Sequence, residues 1–195
     1  MTQSNQWLTL ANGVTSIRLL LAPLLVWAVA RHRVDLGAIV YLVAVATDLA
    51  DGRIARHRGE VSALGGLFDH ATDAFFVSMG LAAFAFRGAT PSLLPPVIAL
   101  AFIQYALDSR ALAGRPLRTS PIGRSNGLAY YVLLGLLVVR ELTEGGDSDS
   151  ILLYGFGWVL VLTSLVSMVD RLLAWRSTRR VPDLRDVEKE GQSPR

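Results

Sequence analysis

Cysteine is absent from the 195 residues, which excludes disulfides, thiolate metal sites and cysteine nucleophiles. Lysine is nearly absent as well: Lys189 stands alone, and the rest of the basic charge is arginine. The net charge is only +3, which lipid headgroups or phosphates account for, and no nucleic-acid partner is expected. Met1 to Leu10 hold no basic residue, so no cleavable signal peptide is expected. The first apolar run is expected to stay as a membrane helix. No internal repeat is present.

What the chain has in quantity is apolar sequence, 52% of all residues, with a mean hydropathy of +0.41. That excess points to a membrane protein. About 20 apolar residues cross a bilayer as a helix, and six stretches approach that length. They lie at residues 16–30, 36–55, 64–86, 93–113, 128–142 and 151–175. Turn residues separate several of them, at Gly88 to Pro91, Gly114 to Pro116 and Gly145 to Asp147. The expected fold is all-α and integral to the membrane, with six transmembrane helices and an aspartate-rich cavity on the cytoplasmic side. Residues 1–180 form one domain, and 181–195 a charged, mobile tail. Residues 5–11 read as an interfacial segment anchored by Trp7.

Charge orients the bundle. With the N-terminus in the cytoplasm, Arg53, Arg56, Arg58, Arg110, Arg115, Arg118, Arg124, Arg171, Arg176, Arg179 and Arg180 fall on the cytoplasmic side. The opposite side has Arg31, Arg33, Arg87 and Arg140 beside Glu141, Glu144, Asp147 and Asp149. The positive-inside rule therefore places both termini in the cytoplasm, in the inner (plasma) membrane.

The chemistry concentrates in Asp48-Leu-Ala-Asp51-Gly52-Arg-Ile-Ala55-Arg56, followed after eight residues by Gly65-Gly-Leu-Phe-Asp69-His-Ala-Thr-Asp73. Spacings of three and four residues put each aspartate pair on one helix face. The short connection predicts adjacent, antiparallel helices, so that all four carboxylates converge on one cavity. Each aspartate near a helix centre costs roughly 2.5–3.5 kcal/mol to insert, less towards the interface. Four clustered carboxylates must either shift their pKa values or bind cations. Mg²⁺ or Mn²⁺ suits an all-oxygen site and takes phosphate oxygens as further ligands. Two such ions form a clamp suited to phosphoryl transfer. Gly52 and Ala55 lack bulk where a nucleotide would approach, and Arg56 can pair with phosphate oxygens.

The pattern D-x2-D-G-x2-A-R-x8-G-x3-D-x3-D resembles the signature of the CDP-alcohol phosphotransferases, also called CDP-alcohol phosphatidyltransferases, with all eight fixed positions matched. Chance agreement is on the order of 10⁻¹⁰ per starting position. Upstream, Asn12-Gly-Val-Thr15-Ser-Ile-Arg18 looks like the N-x2-T-x2-R segment that precedes the first helix in bacterial members. The resemblance implies that Asp48, Asp51 and Asp69 ligate metal. Asp73 would touch the second metal and act as general base. Gly52, Ala55, Arg56 and Ser62 would hold the cytidine nucleotide and its diphosphate, with Asn12 and Thr15 touching the donor. It also implies two divalent cations, CDP-diacylglycerol as donor, a polar acceptor alcohol, surrounding membrane lipids, and a homodimer.

Arg110, Arg115, Arg118 and Arg124 cluster around the fourth and fifth helices. Arg115 and Arg118 read as a positive-inside loop. Arg110 and Arg124 are placed to bind an acceptor phosphate; Gly123-Arg124 is similar to a basic position the family uses for this. Asp108 and Asp170 are expected to be no more than buried hydrogen-bonding residues. His70 follows Asp69 directly and is expected on another face, as a packing or surface residue. The acceptor is expected to be glycerol 3-phosphate, with inositol phosphate or another alcohol as alternatives. A divalent-cation transporter is the rival from another class, but residues 93–175 hold no second aspartate cluster.

Overall fold

The computed structural model describes residues 9–108, 121–144 and 151–178. Arg110, Arg115, Arg118, Trp7 and the tail beyond 180 lie outside them. The described residues form six helices: α1 (Leu10–Ala30), α2 (Val34–Arg58), α3 (Ala63–Phe86), α4 (Leu94–Asp108), α5 (Pro121–Glu144) and α6 (Ile151–Thr178). By length and apolar composition, three can cross a membrane, at Leu10–Ala30, Ile122–Thr143 and Ile151–Leu173. The apolar stretch of α4, Leu94–Leu107, is shorter. Charged side chains, the aspartates among them, interrupt the apolar character of α2 and α3.

Two helix starts differ most from the sequence expectation, each for a local reason. Helix α1 begins at Leu10 rather than near residue 16, because the Thr9 side chain caps it by accepting from the Asn12 amide at 3.1 Å. Asn12 and Thr15 therefore lie inside the first helix, as Arg18 does, instead of preceding it. Helix α5 starts at Pro121, a residue suited to a first helical turn because its missing N–H would have no partner there.

Between α2 and α3 the chain reverses in four residues. Gly59 ends α2 in the left-handed region, at φ 65°, where a Cβ would be strained. Ser62 then caps α3, its hydroxyl accepting from the Gly65 amide at 3.0 Å. Despite this tight link, α2 and α3 hardly touch each other. Helix α1 is wedged between them and packs extensively on both. The expectation that α2 and α3 are direct neighbours is thus corrected: the apolar face of α1, with Ala22, Leu25 and Val29 buried, fills that space.

The remaining helices close the bundle through α3 on α4 and α5, α6 on α4 and α5, and α5 on α2. Leu25, Phe76, Leu81, Leu94, Leu133 and Leu134 are fully buried in one continuous core. At the end away from the aspartates, Arg87 donates to Glu141 and to the Val29 carbonyl, tying α3 to α5 and α1. The outer surface is apolar on every helix, with Leu20, Leu42, Phe75, Leu100, Leu128 and Leu162 all exposed.

Candidate active site

The wedge of α1 decides the site. Arg18, on α1, points between the two aspartate pairs and is completely buried. Its Nη1 donates to Asp48 Oδ1 at 2.5 Å and to Asp73 Oδ1. Its Nη2 donates to Asp51 Oδ2 and Asp69 Oδ1, both at 2.5 Å. Each of the two Nη atoms therefore bridges one aspartate of α2 and one of α3. The four signature carboxylates meet, and a cation of the chain itself lies where they meet.

Thr15, one turn before Arg18, is 2% exposed, and its hydroxyl donates to Asp51 Oδ2 at 2.7 Å. Asn12 is buried another turn earlier, and a Cβ at Gly65 would lie 3.5 Å from its Oδ1 and 3.0 Å from the Ser62 hydroxyl. Gly65 thus permits a close approach of the start of α3 to the start of α1. Arg56 is exposed at the end of α2, with its guanidinium folded over Gly52, 3.4 Å from where a Cβ would sit there. Ala55 is half-buried beside it.

Carboxylate oxygens of Asp48, Asp51 and Asp69 lie within 4.8 Å of one another. This donor set is hard oxygen only, drawn from two helices and already gathered on a positive group, so the residues fit a divalent cation of the Mg²⁺ or Mn²⁺ type. Asp73 is not part of that close trio.

Asp73 and Asp48 instead line a cavity of about 600 Å³ that runs between α3, α4, α5 and α6. Its polar wall includes Arg124, Asn126, Tyr131, Ser164 and Arg171. Tyr131 donates to Asp73 Oδ1 at 2.7 Å. The Arg171 guanidinium sits 5.1 Å above the Tyr105 ring, and that ring stacks on His70 with centroids 5.4 Å apart. His70 is an exposed packing residue, as its position next to Asp69 implies, but it also lines the cavity.

Of the residues proposed from the sequence, the structure gathers Thr15, Asp48, Asp51, Asp69 and Asp73 around Arg18. It puts Asn12, Gly52, Ala55, Arg56 and Ser62 near the exposed α2–α3 turn, and Arg124 across the cavity. Sequence reasoning missed Arg18, Tyr131, Tyr105 and Arg171 as site residues. A usable signal existed for the two arginines, because each interrupts an apolar helix where a charge is costly. Nothing in the sequence singles out Tyr131 or Tyr105 from other membrane aromatics.

A helical bundle with an apolar exterior and an aspartate-lined cavity fits a class of membrane enzyme acting on phosphate groups, and the matching sequence profile makes the class specific. The chain belongs to the CDP-alcohol phosphatidyltransferase family, whose profile matches residues 8–170. Among individual proteins it is similar to candidate cardiolipin synthases of Mycobacterium tuberculosis and Mycobacterium bovis, 33% identical over 134 residues. Those residues cover 66% of this chain and 63% of each relative, so the chain spans less than two thirds of their length.

Proposed function

We propose that the chain transfers a phosphatidyl group from CDP-diacylglycerol to an alcohol that itself carries a phosphate, with release of CMP. The carrying observation is the aspartate cluster opening, through Asp48 and Asp73, onto a cavity whose wall includes Arg124 and Arg171. Six helices would lie in the inner membrane, because exposed apolar side chains occur on all six and lipid is the environment that suits them. The arginine bias supports cytoplasmic termini. The family supports a homodimer.

In this account Asp48, Asp51, Asp69 and Asp73 would hold two divalent cations, which when bound supply charge neutralisation at the diphosphate. Gly52, Ala55, Arg56 and Ser62, with Asn12 and Thr15, hold the cytidine nucleotide at the cytoplasmic end. Arg124 and Arg171 hold the acceptor phosphate by charge-assisted hydrogen bonds. Arg110, assigned the same role from the sequence, remains part of the proposal. Asp73 takes the proton of the acceptor hydroxyl. The acceptor oxygen forms a bond to the lipid-side phosphorus as the bond from that phosphorus to CMP breaks. The hydrogen bonds from Tyr131 and Arg18 both fall on Oδ1 of Asp73, which fixes the carboxylate plane for that transfer. Positioning and charge carry the rate, as phosphoryl transfer requires.

Glycerol 3-phosphate is the acceptor we favour, since it presents a hydroxyl and a phosphate together. The relatives' name supports a second acceptor of the same chemistry, phosphatidylglycerol, whose phosphatidylation gives a cardiolipin. Purified protein with CDP-diacylglycerol, Mn²⁺ and each acceptor in turn, with the lipid product identified by mass, separates them. Phosphatidylglycerophosphate as the product supports the first and cardiolipin the second; product only from uncharged alcohols overturns the assignment of the arginines.

A further inference from the structure

Arg18 has a burden that a helix-packing residue would not carry. Its side chain is fully buried in an otherwise apolar helix, and both Nη atoms bridge α2 to α3 through aspartates. Its Nε is buried with no hydrogen-bond partner among the described residues, so the contacts concentrate at the two ends of the fork. Breaking such a set exposes several carboxylates to one another at once. Four like charges with one guanidinium still leave the cluster strongly negative, which is the condition for recruiting further cations.

We propose that Arg18 is a built-in counter-cation that competes with divalent metal for the signature aspartates. It holds the four carboxylates together when metal is stripped away, and it yields part of its contacts as metal enters. The proposal rests on the reading that this cluster binds divalent cations. A Mg²⁺ ion would sit about 2.1 Å from a carboxylate oxygen. A guanidinium nitrogen 2.5 Å from the same oxygen would then be less than about 5 Å from the ion. Two positive groups at that separation repel, and Asp48, Asp51 and Asp69 are each engaged by both in this scheme. The arginine therefore assembles the site and weakens its affinity at the same time. A residue that merely positioned the ligands would raise affinity instead.

The two roles differ in sign, so metal binding separates them without any activity measurement. Wild-type protein, Arg18→Gln and Arg18→Lys are purified in detergent. Mn²⁺ binding is followed by the electron paramagnetic resonance of the free ion, and melting is recorded in chelator and in Mn²⁺. Arg18→Gln is expected to melt lower than wild type in chelator, to gain more in melting temperature from Mn²⁺, and to bind Mn²⁺ at least about tenfold more tightly. Arg18→Lys keeps the charge but spans fewer carboxylates, and its affinity should fall between the two. If Arg18→Gln does not fold even with Mn²⁺, tighter binding in Arg18→Lys carries the proposal alone. Binding that is unchanged or weaker in the variants that fold overturns it while leaving the metal site standing. No specific Mn²⁺ binding by wild type overturns both.

Discussion

Tyr131 on α5 donates a 2.7 Å hydrogen bond to Oδ1 of Asp73 on α3, the oxygen that also accepts from Arg18. A tyrosine thus anchors the aspartate assigned as the base from outside the signature. Tyr131→Phe keeps the ring and removes only this donor. Turnover measured by CMP release is expected to fall roughly 10-fold to 100-fold, in line with losing a hydrogen bond to a charged group. The KM for CDP-diacylglycerol should barely change. Loss of donor affinity with intact turnover would mean that Tyr131 serves the nucleotide instead.

Arg124 and Arg171 come from α5 and α6 and both line the cavity wall. Replacing either with alanine should raise the KM for an anionic acceptor about tenfold or more, the cost of one charge-assisted contact. The donor KM should stay near wild type. Arg171→Ala also removes the cation over the Tyr105 ring, so its effect is expected to be the larger. An equal rise for donor and acceptor would place both arginines at the nucleotide.

The Arg87–Glu141 pair lies at the far end of the bundle and joins three helices. Glu141→Ala leaves a half-buried guanidinium without its carboxylate and should destabilise the protein by about 1–3 kcal/mol. Turnover per folded molecule should not change. The check is a melting curve beside a specific-activity measurement; a change in turnover at full folding would couple this end to the site.

How far the sequence reveals the molecule depends on which interactions are local. The aspartates were legible because they follow helical spacing and stand out in apolar surroundings. The start of α1 was also written locally, in the Thr9 cap, but the first apolar run begins later and drew the boundary with it. The arrangement of α1 between α2 and α3 is a tertiary fact, and no spacing within Asp48 to Asp73 encodes it. Arg18 acquires its four partners only through that wedge, which is why its motif was visible and its contacts were not. In the sequence Arg171 is one of the basic residues of the cytoplasmic side. Its stacking on Tyr105 requires α4 and α6 to pack, a pairing far apart in the chain.

Asp73→Asn tests the base directly. An amide cannot take the hydroxyl proton, and turnover should fall about 10²–10⁴-fold. Donor binding should largely persist, because Asp48, Asp51, Asp69 and Arg56 remain. Equilibrium binding of a CDP-lipid alongside the rate distinguishes this from simple collapse of the site; unchanged turnover would show that another group is the base.

The most direct test of metal-dependent, single-step phosphatidyl transfer is the time course of CMP release by purified protein given CDP-diacylglycerol, with and without glycerol 3-phosphate. In Mn²⁺ or Mg²⁺, CMP should appear only when acceptor is present and in step with phosphatidyl product. Excess chelator, Asp48→Asn and Asp69→Asn should each abolish it. CMP exchange or a covalent lipid–protein adduct with donor alone would contradict the single step. Absence of CMP release with any acceptor, alongside saturable Mn²⁺ uptake into sealed vesicles, would contradict the account as a whole.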